Sequence, residues 1–221
     1  MVNPDGQEAA GGARADQDTE RRILDAAESV FMRRGTAGAR MQEIADEAGV
    51  NKALLHYYFR SKERLAEAIF ERSAKRLLPP LLVIVGSDAP LEEKVERVVA
   101  HYLEVLSSSP FLPGYLLSEL HHHPERVEWL VTRATGGPAG AFGAKALAKV
   151  GAQIEERVRA GTMRPIEPDQ FAANLLSLCI FPFAARGMLK IAFGWDQELF
   201  EGFIRARRTE LPAFFLNALR P

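Results

Sequence analysis

A chain of 221 residues, 47% apolar and 26% charged, is long enough to bury a substantial core and to hold a small domain beside a larger one. Its net charge of −1 excludes a globally basic nucleic-acid binder, and its one cysteine, Cys179, excludes an internal disulfide and suits a reducing cytoplasm. The most apolar stretch, 171–185, is interrupted by Asn174, Ser177 and Pro182, so it reads as a buried helix and not a membrane span.

Residues 1–16 are rich in Gly, Ala, Asp and Gln and are expected to be disordered. A first helix is expected from Thr19, as its cap, to Arg34, with Gly35 as its stop and Ile23, Leu24, Ala27, Val30 and Phe31 as its apolar stripe. Met41, Ile44, Ala45 and Ala48 then fall at helical spacing, and Gly49 stands where a left-handed residue would end that helix. Asn51 is a good N-cap for a third helix through Phe59. Leu55, Tyr58 and Phe59 can face inward, which leaves Lys52, Ala53, His56 and Tyr57 near the other side. Two short helices joined this way form a helix-turn-helix sized for the DNA major groove.

Local charge supports that reading. From Phe31 to Lys62 the basic residues Arg33, Arg34, Arg40, Lys52, Arg60 and Lys62 face only Glu43, Asp46 and Glu47, and no acid lies between Ala48 and Lys62. A basic patch on a neutral protein is the footprint of a small DNA-reading module on a larger body. Ser61 then caps a fourth helix running past Leu65, Ile69 and Ala74 toward Leu78, where Pro79 and Pro80 stop or kink it.

The body reads as further helices. Leu91, Val95, Val98, Val99, Tyr102 and Leu106 keep a 3.6-residue period, Pro110 and Pro113 break the chain before a short helix, and Pro124 opens another. An Ala-rich helix spans 141–160, a long one 170–193, and a last one 197–219. Strand signals are nearly absent, so the expected class is all-α. His121, His122 and His123 beside Glu119 invite a metal reading, but adjacent helical histidines point about 100° apart and do not converge on one ion. No nucleophile–base pair, phosphate loop or zinc spacing is present, so neither enzymatic activity nor a metal or cofactor is expected.

The segment from about Thr19 to Leu65, with EIADEAGV followed by LLHYYFRSKERL, resembles the DNA-binding domain of the TetR family of bacterial transcriptional regulators. The resemblance implies an N-terminal three-helix head over 17–63 and a helical ligand-binding and dimerisation body over 64–221. By position in the motif, Gln42, Lys52, Ala53 and His56 match base-contacting residues, while Tyr57, Tyr58 and Lys62 match residues that hold the DNA backbone. Asn51 belongs to the same face, and Arg40 stands where the family usually has a capping Ser or Thr, gaining a phosphate contact instead. Leu54 and His56 also depart from the family pattern, so an operator preference is not carried over.

The resemblance further implies a cytoplasmic homodimer on a palindromic operator, not a membrane protein. It would be joined by its last two long helices and act as a repressor released by a small apolar or amphipathic effector. Pocket candidates are His101, Tyr102, Phe111, Tyr115, Glu119, Trp129, Phe142, Cys179, Phe181, Phe183 and Met188. The alternative is an interaction protein on the same fold, whose body recruits a protein partner without an effector.

Overall fold

The computed structural model describes residues 5–110, 112–114, 117, 121 and 124–221. Among them the chain is helical, with no strand, and divides into a unit over Met1–Arg72 and another over Ser73–Pro221.

In the first unit, α1 (Asp5–Gly38), α2 (Met41–Ala48) and α3 (Lys52–Tyr58) pack on the start of α4 (Lys62–Gly86). The helix α1 begins at Asp5, well before the expected Thr19, and so takes in residues 5–16, for which disorder was expected. Thr19 sits inside the helix, its hydroxyl donating back to the Ala15 carbonyl at 2.8 Å, a bond that a mid-helix threonine makes and a cap does not. Gly35 interrupts α1 at φ 66 and ψ 165, a conformation open to glycine alone. Lys62 Nζ then donates to the Ala37 and Ala39 carbonyls at 3.0 and 3.3 Å, which ties off the end of the segment after the kink.

Ile23, Ala27, Val30, Phe31, Ile44, Ala45, Leu55, Leu65 and Ile69 are each at most 1% exposed and form the core of this unit. Burying a side chain of this kind is worth roughly 1.5–3 kcal/mol. Arg72 clamps α1 to α4 from the rim, reaching Asp25 at 2.6 Å and Glu28 at 2.7 Å.

The second unit holds the rest of α4, then α5 (Leu91–Ser108), α6 (Pro124–Thr135), α7 (Ala139–Arg159), α8 (Pro168–Ala184), α9 (Arg186–Phe193) and α10 (Gln197–Asn217). The helix α5 is central: α8, α10 and α7 all pack on it. Its stripe Leu91, Val95, Val98, Val99, Tyr102 and Leu106 is buried as its period requires.

Pro79 and Pro80 lie inside α4, and of the two outcomes open to the sequence, a stop or helix resumed over 81–85, the second holds. Another expectation needs correction. The long helix expected over 170–193 is two helices, α8 and α9, bent by 70° at Ala185. The bend follows Pro182, which removes a helical N–H; its effect is felt three residues later. Among the described residues no single helix is long and apolar enough to cross a membrane.

Candidate nucleic-acid interface and core cavity

The turn between α2 and α3 is built from backbone chemistry. Gly49 takes the left-handed conformation, φ 63 and ψ 36, and its N–H donates to the Asp46 carbonyl at 3.1 Å. The Val50 N–H donates to the Ala45 carbonyl at 3.0 Å, completing a Schellman end. Arg22 reaches across from α1 to the Ala48 carbonyl at 2.6 Å and the Gly49 carbonyl at 3.2 Å, so the last free acceptors of α2 are also met. Asn51 then caps α3, its side chain accepting from the Leu54 N–H at 2.7 Å. Arg40 stands at the N-cap of α2 without a side-chain cap bond, which leaves its guanidinium to solvent.

This scaffold holds α3 with Leu55 and Phe59 buried and Asn51, Lys52, Ala53, His56 and Tyr57 exposed. Tyr57 is 77% exposed and meets Tyr58 edge-on, with ring centroids 5.4 Å apart. Gln42, also exposed, donates from its amide to Asp46 Oδ1 at 2.8 Å.

The six basic residues of the sequence separate into two groups. Arg33 pairs with Glu47 and Arg34 with Glu43, bonds that fasten α1 to α2. The hydrogen bond from Arg33 holds the Glu47 carboxyl below the usual carboxylate range, and Glu47 in turn raises Arg33. Lys62 is held on backbone carbonyls. Arg40, Lys52 and Arg60 have no ionic partner among the described residues and remain for an external anion.

Tyr58 is half-buried, and its hydroxyl donates to Asp16 Oδ1, near the start of α1. That hydrogen bond pushes the Tyr58 phenol above its ordinary pKa. Sequence reasoning missed Asp16, because it lay in the stretch expected to be disordered. Nor does the sequence show that Arg22 is a helix cap, since its acceptors lie 26 and 27 residues away.

The family model for bacterial regulatory proteins of the tetR family matches residues 23–69, the segment that builds this head. The chain is 32% identical over 120 residues to the HTH-type transcriptional repressor SCO4008 of Streptomyces coelicolor, covering 52% of this chain and 61% of that one. It is 36% identical over 98 residues to the HTH-type transcriptional regulator RutR of Escherichia coli, covering 44% and 46%. The chain thus spans about half the length of the relatives it matches in sequence. In structure it resembles the ketosteroid transcriptional regulator KstR2 of Mycobacterium tuberculosis, with a TM-score of 0.66 at 16% identity over 91% of this chain and 95% of that one. A likeness to HlyIIR, a hemolysin II transcriptional regulator, has a TM-score of 0.58 at 20% identity over 93% and 98%. Residues 23–69 are thus similar to the DNA-binding head of tetR-family regulators, and the chain as a whole shares their fold.

The second unit holds a partly open cavity of about 280 Å³ between α4, α5, α7 and α8. Its walls are aliphatic: Leu78 and Leu81 from α4, Val95 and Val98 from α5, Leu147 from α7 and Leu175 from α8. Of the pocket candidates among the described residues, Tyr102 alone lines it. Its hydroxyl has no hydrogen-bond partner among the described residues, and burial raises its pKa.

The other candidates are dispersed. His101 Nε2 lies 3.1 Å from the Leu77 carbonyl. Cys179 is fully buried, and burial pushes its thiol up to about 12. Phe183 packs edge-on against Phe200. Phe181 and Met188 are more than half exposed, and Trp129 is about half exposed with Arg133 over its ring. Phe111, Tyr115, Glu119 and the side chain of Phe142 lie outside the described residues, as do His122 and His123.

The reason for the dispersal is packing. Most of the aromatic side chains of α8, α9 and α10 pack on one another, as in Phe183 on Phe200 and Trp195 on Phe203, so apart from Tyr102 and Phe171 the described lining is mainly aliphatic. Sequence reasoning also missed Lys94. It is 2% exposed, lines the cavity, and donates to Gln153 Oε1 at 2.9 Å. Its signal was present: Leu91, Lys94, Val95 and Val98 fall at i, i+3, i+4 and i+7, which places a cation on the apolar stripe.

Proposed function

We propose that this protein is a sequence-specific DNA-binding transcriptional regulator, acting as a homodimeric repressor whose body answers to a small molecule. The observation that carries the reading is the exposed face of α3. There Lys52, His56 and Tyr57 stand on a doubly capped helix, beside Arg40 and Arg60, which have no ionic partner among the described residues. Lys52 suits the O6 and N7 acceptors of guanine, Gln42 an adenine edge or a phosphate, and Ala53 a thymine methyl. Arg40, Arg60 and the tyrosine hydroxyls supply backbone anchors. Each good bidentate base contact is worth about 1–3 kcal/mol of discrimination.

One recognition helix reads too few base pairs for useful specificity, so a dimer supports the reading. Phe181, Met188, Ile191, Phe193, Leu199 and Phe214 are each more than half exposed, and α9 buries no residue of its own. A second copy laid on this surface covers it. This surface lies on the same two segments, 170–193 and 197–219, through which dimerisation is expected, although Phe171, Leu175, Phe200, Ile204, Leu211 and Phe215 are buried in the core of this chain. An effector route is supported by α4, which starts with the head at Lys62 and contributes Leu78, Leu81 and Val85 to the cavity. An effector that prefers the non-binding state by about 1–3 kcal/mol weakens operator affinity by the corresponding factor.

Selection from random duplex DNA with the purified protein tests this. The expected result is a palindrome with half-sites about one helical turn, ~34–36 Å, apart. No enrichment at low salt sinks the reading and favours a protein partner for the body.

A further inference from the structure

The cavity of the second unit contains a charge problem. Lys94 is 2% exposed and lies on its wall, and its Nζ has one acceptor among the described residues, the neutral Oε1 of Gln153. Gln153 is held in place by its own amide, which donates to the Ala89 carbonyl at 3.0 Å. Asp88, an acid whose charge acts on Lys94, is taken by Lys149 at 2.7 Å. Among the described residues Lys94 is therefore a buried ammonium with no carboxylate on it, and two of its N–H bonds lack an acceptor. Burying a cation without a counter-ion costs several kcal/mol, and an anion placed against it offsets that cost.

The rest of the wall defines the other end of the ligand. No acidic side chain lines the cavity among the described residues; apart from Lys94 and Tyr102 its lining is aliphatic, aromatic or glycine. Lys94, Val98 and Tyr102 follow one another at i, i+4 and i+8 on one face of α5, so the two polar residues are separated by a rise of about 12 Å along the helix. Lys94 can only donate and its charge repels a cationic ligand, while the Tyr102 hydroxyl donates or accepts and sets no charge preference. A cavity of about 280 Å³ lies at the small end of ligand sites and suits a compact molecule.

We infer that the cavity binds a small carboxylic acid with an unbranched or compact apolar body, its carboxylate against Lys94 and its body running along Val98 toward Tyr102. The inference rests on the reading that this cavity is the effector site, and it names the chemical class of the effector. An apolar acid of this size satisfies Lys94 and fills the aliphatic walls together. A neutral molecule of the same shape does only the second.

The test uses the full-length chain and three isosteres, octanoate, 1-octanol and octylamine, with binding read by calorimetry and by the shift in melting temperature. Octanoate is expected to bind at least tenfold more tightly than 1-octanol, and octylamine not at all. Lys94→Met, which replaces a lone buried charge by a side chain of similar length, is expected to fold and to bring octanoate down to or below the affinity of 1-octanol. Equal binding of octanoate and 1-octanol to the unaltered chain overturns the proposal without recourse to any variant, and so does binding of none of the three. Undiminished octanoate binding by Lys94→Met overturns it as well. Octanoate binding that depends on Lys94 but leaves operator affinity unchanged supports the anion site and removes the effector reading. Operator release by 1-octanol alone does the reverse.

Discussion

Arg207 donates from Nη2 and Nε to the Leu178 carbonyl, at 2.8 and 3.3 Å. That carbonyl is the acceptor Pro182 abandons, because proline has no N–H to return to the residue four before it. The guanidinium also lies over the Phe203 ring at 5.5 Å, and burial lowers its pKa. A side chain from α10 thus supplies the donor missing from α8.

Removing that donor is expected to destabilise the second unit. Arg207→Leu should cost about 1–2 kcal/mol, since it leaves a part-buried carbonyl unmet. For a chain of this size each kcal/mol lowers Tm by roughly 2–4 °C. Pro182→Ala restores the helical N–H, so the double variant should lose less than the sum of the two single changes. Strict additivity in thermal melts would show that the two residues do not act on one carbonyl.

The head was legible in the sequence because its determinants are local. Gly49, Asn51 and Ser61 each act within four residues, and each does what its side chain or backbone predicts. The α8–α9 break was not legible, since Pro182 is tolerated through a residue 25 positions away in α10 and the bend falls at Ala185. The cavity was misread for a related reason. Aromatic residues suit an apolar pocket, but here most of them pack the last three helices, and Val and Leu supply most of the described lining beside Tyr102 and Phe171. Lys94 carried the better signal, a charge at an apolar-stripe position.

Lys52 and Arg22 should separate recognition from scaffold. Lys52 is exposed with no ionic partner among the described residues, so Lys52→Ala should leave the melting temperature within a degree or so while relaxing sequence preference by about 1–3 kcal/mol at one position. Arg22→Ala uncaps α2 and should cost about 1–2 kcal/mol of stability. At a temperature where the variant remains folded, its sequence preference should be unchanged. A melting point unaffected by Arg22→Ala would contradict the capping role.

Acid should loosen the junction of α1 and α2. The Glu47 pKa is lowered in the folded chain, chiefly by the hydrogen bond from Arg33. The unfolded chain therefore binds more protons as pH falls below the ordinary carboxylate range. The contribution is fully present above the unfolded pKa and is lost as pH drops through the folded one. Glu47→Gln should flatten the acid limb of the stability curve, read by melts between about pH 5 and pH 2. An unchanged limb would assign acid sensitivity to other carboxylates.

Cys179 should be silent toward thiol reagents in the folded chain. It is fully buried, and its thiol is pushed up to about 12, so the reactive thiolate is scarce at pH 8. Ellman's reagent should react at the rate of global opening and become fast in denaturant. Rapid labelling of the native protein would mean that α8 opens locally, and with it the wall of the cavity.

The bond from Tyr58 to Asp16 sets a competition at the recognition face. A phosphate oxygen approaching Tyr58 meets a hydroxyl already donated to a carboxylate, and that carboxylate repels the phosphate. Asp16→Ala should therefore tighten DNA binding at every sequence alike, because a backbone contact carries no base information. The slope of log affinity against log salt should steepen by less than one charge, since one phosphate gains a neutral donor and loses a nearby acid. Tyr58→Phe should remove the gain in the Asp16→Ala background. If Asp16→Ala weakens binding instead, Asp16 acts by holding α1 against α3 and not by occupying the hydroxyl.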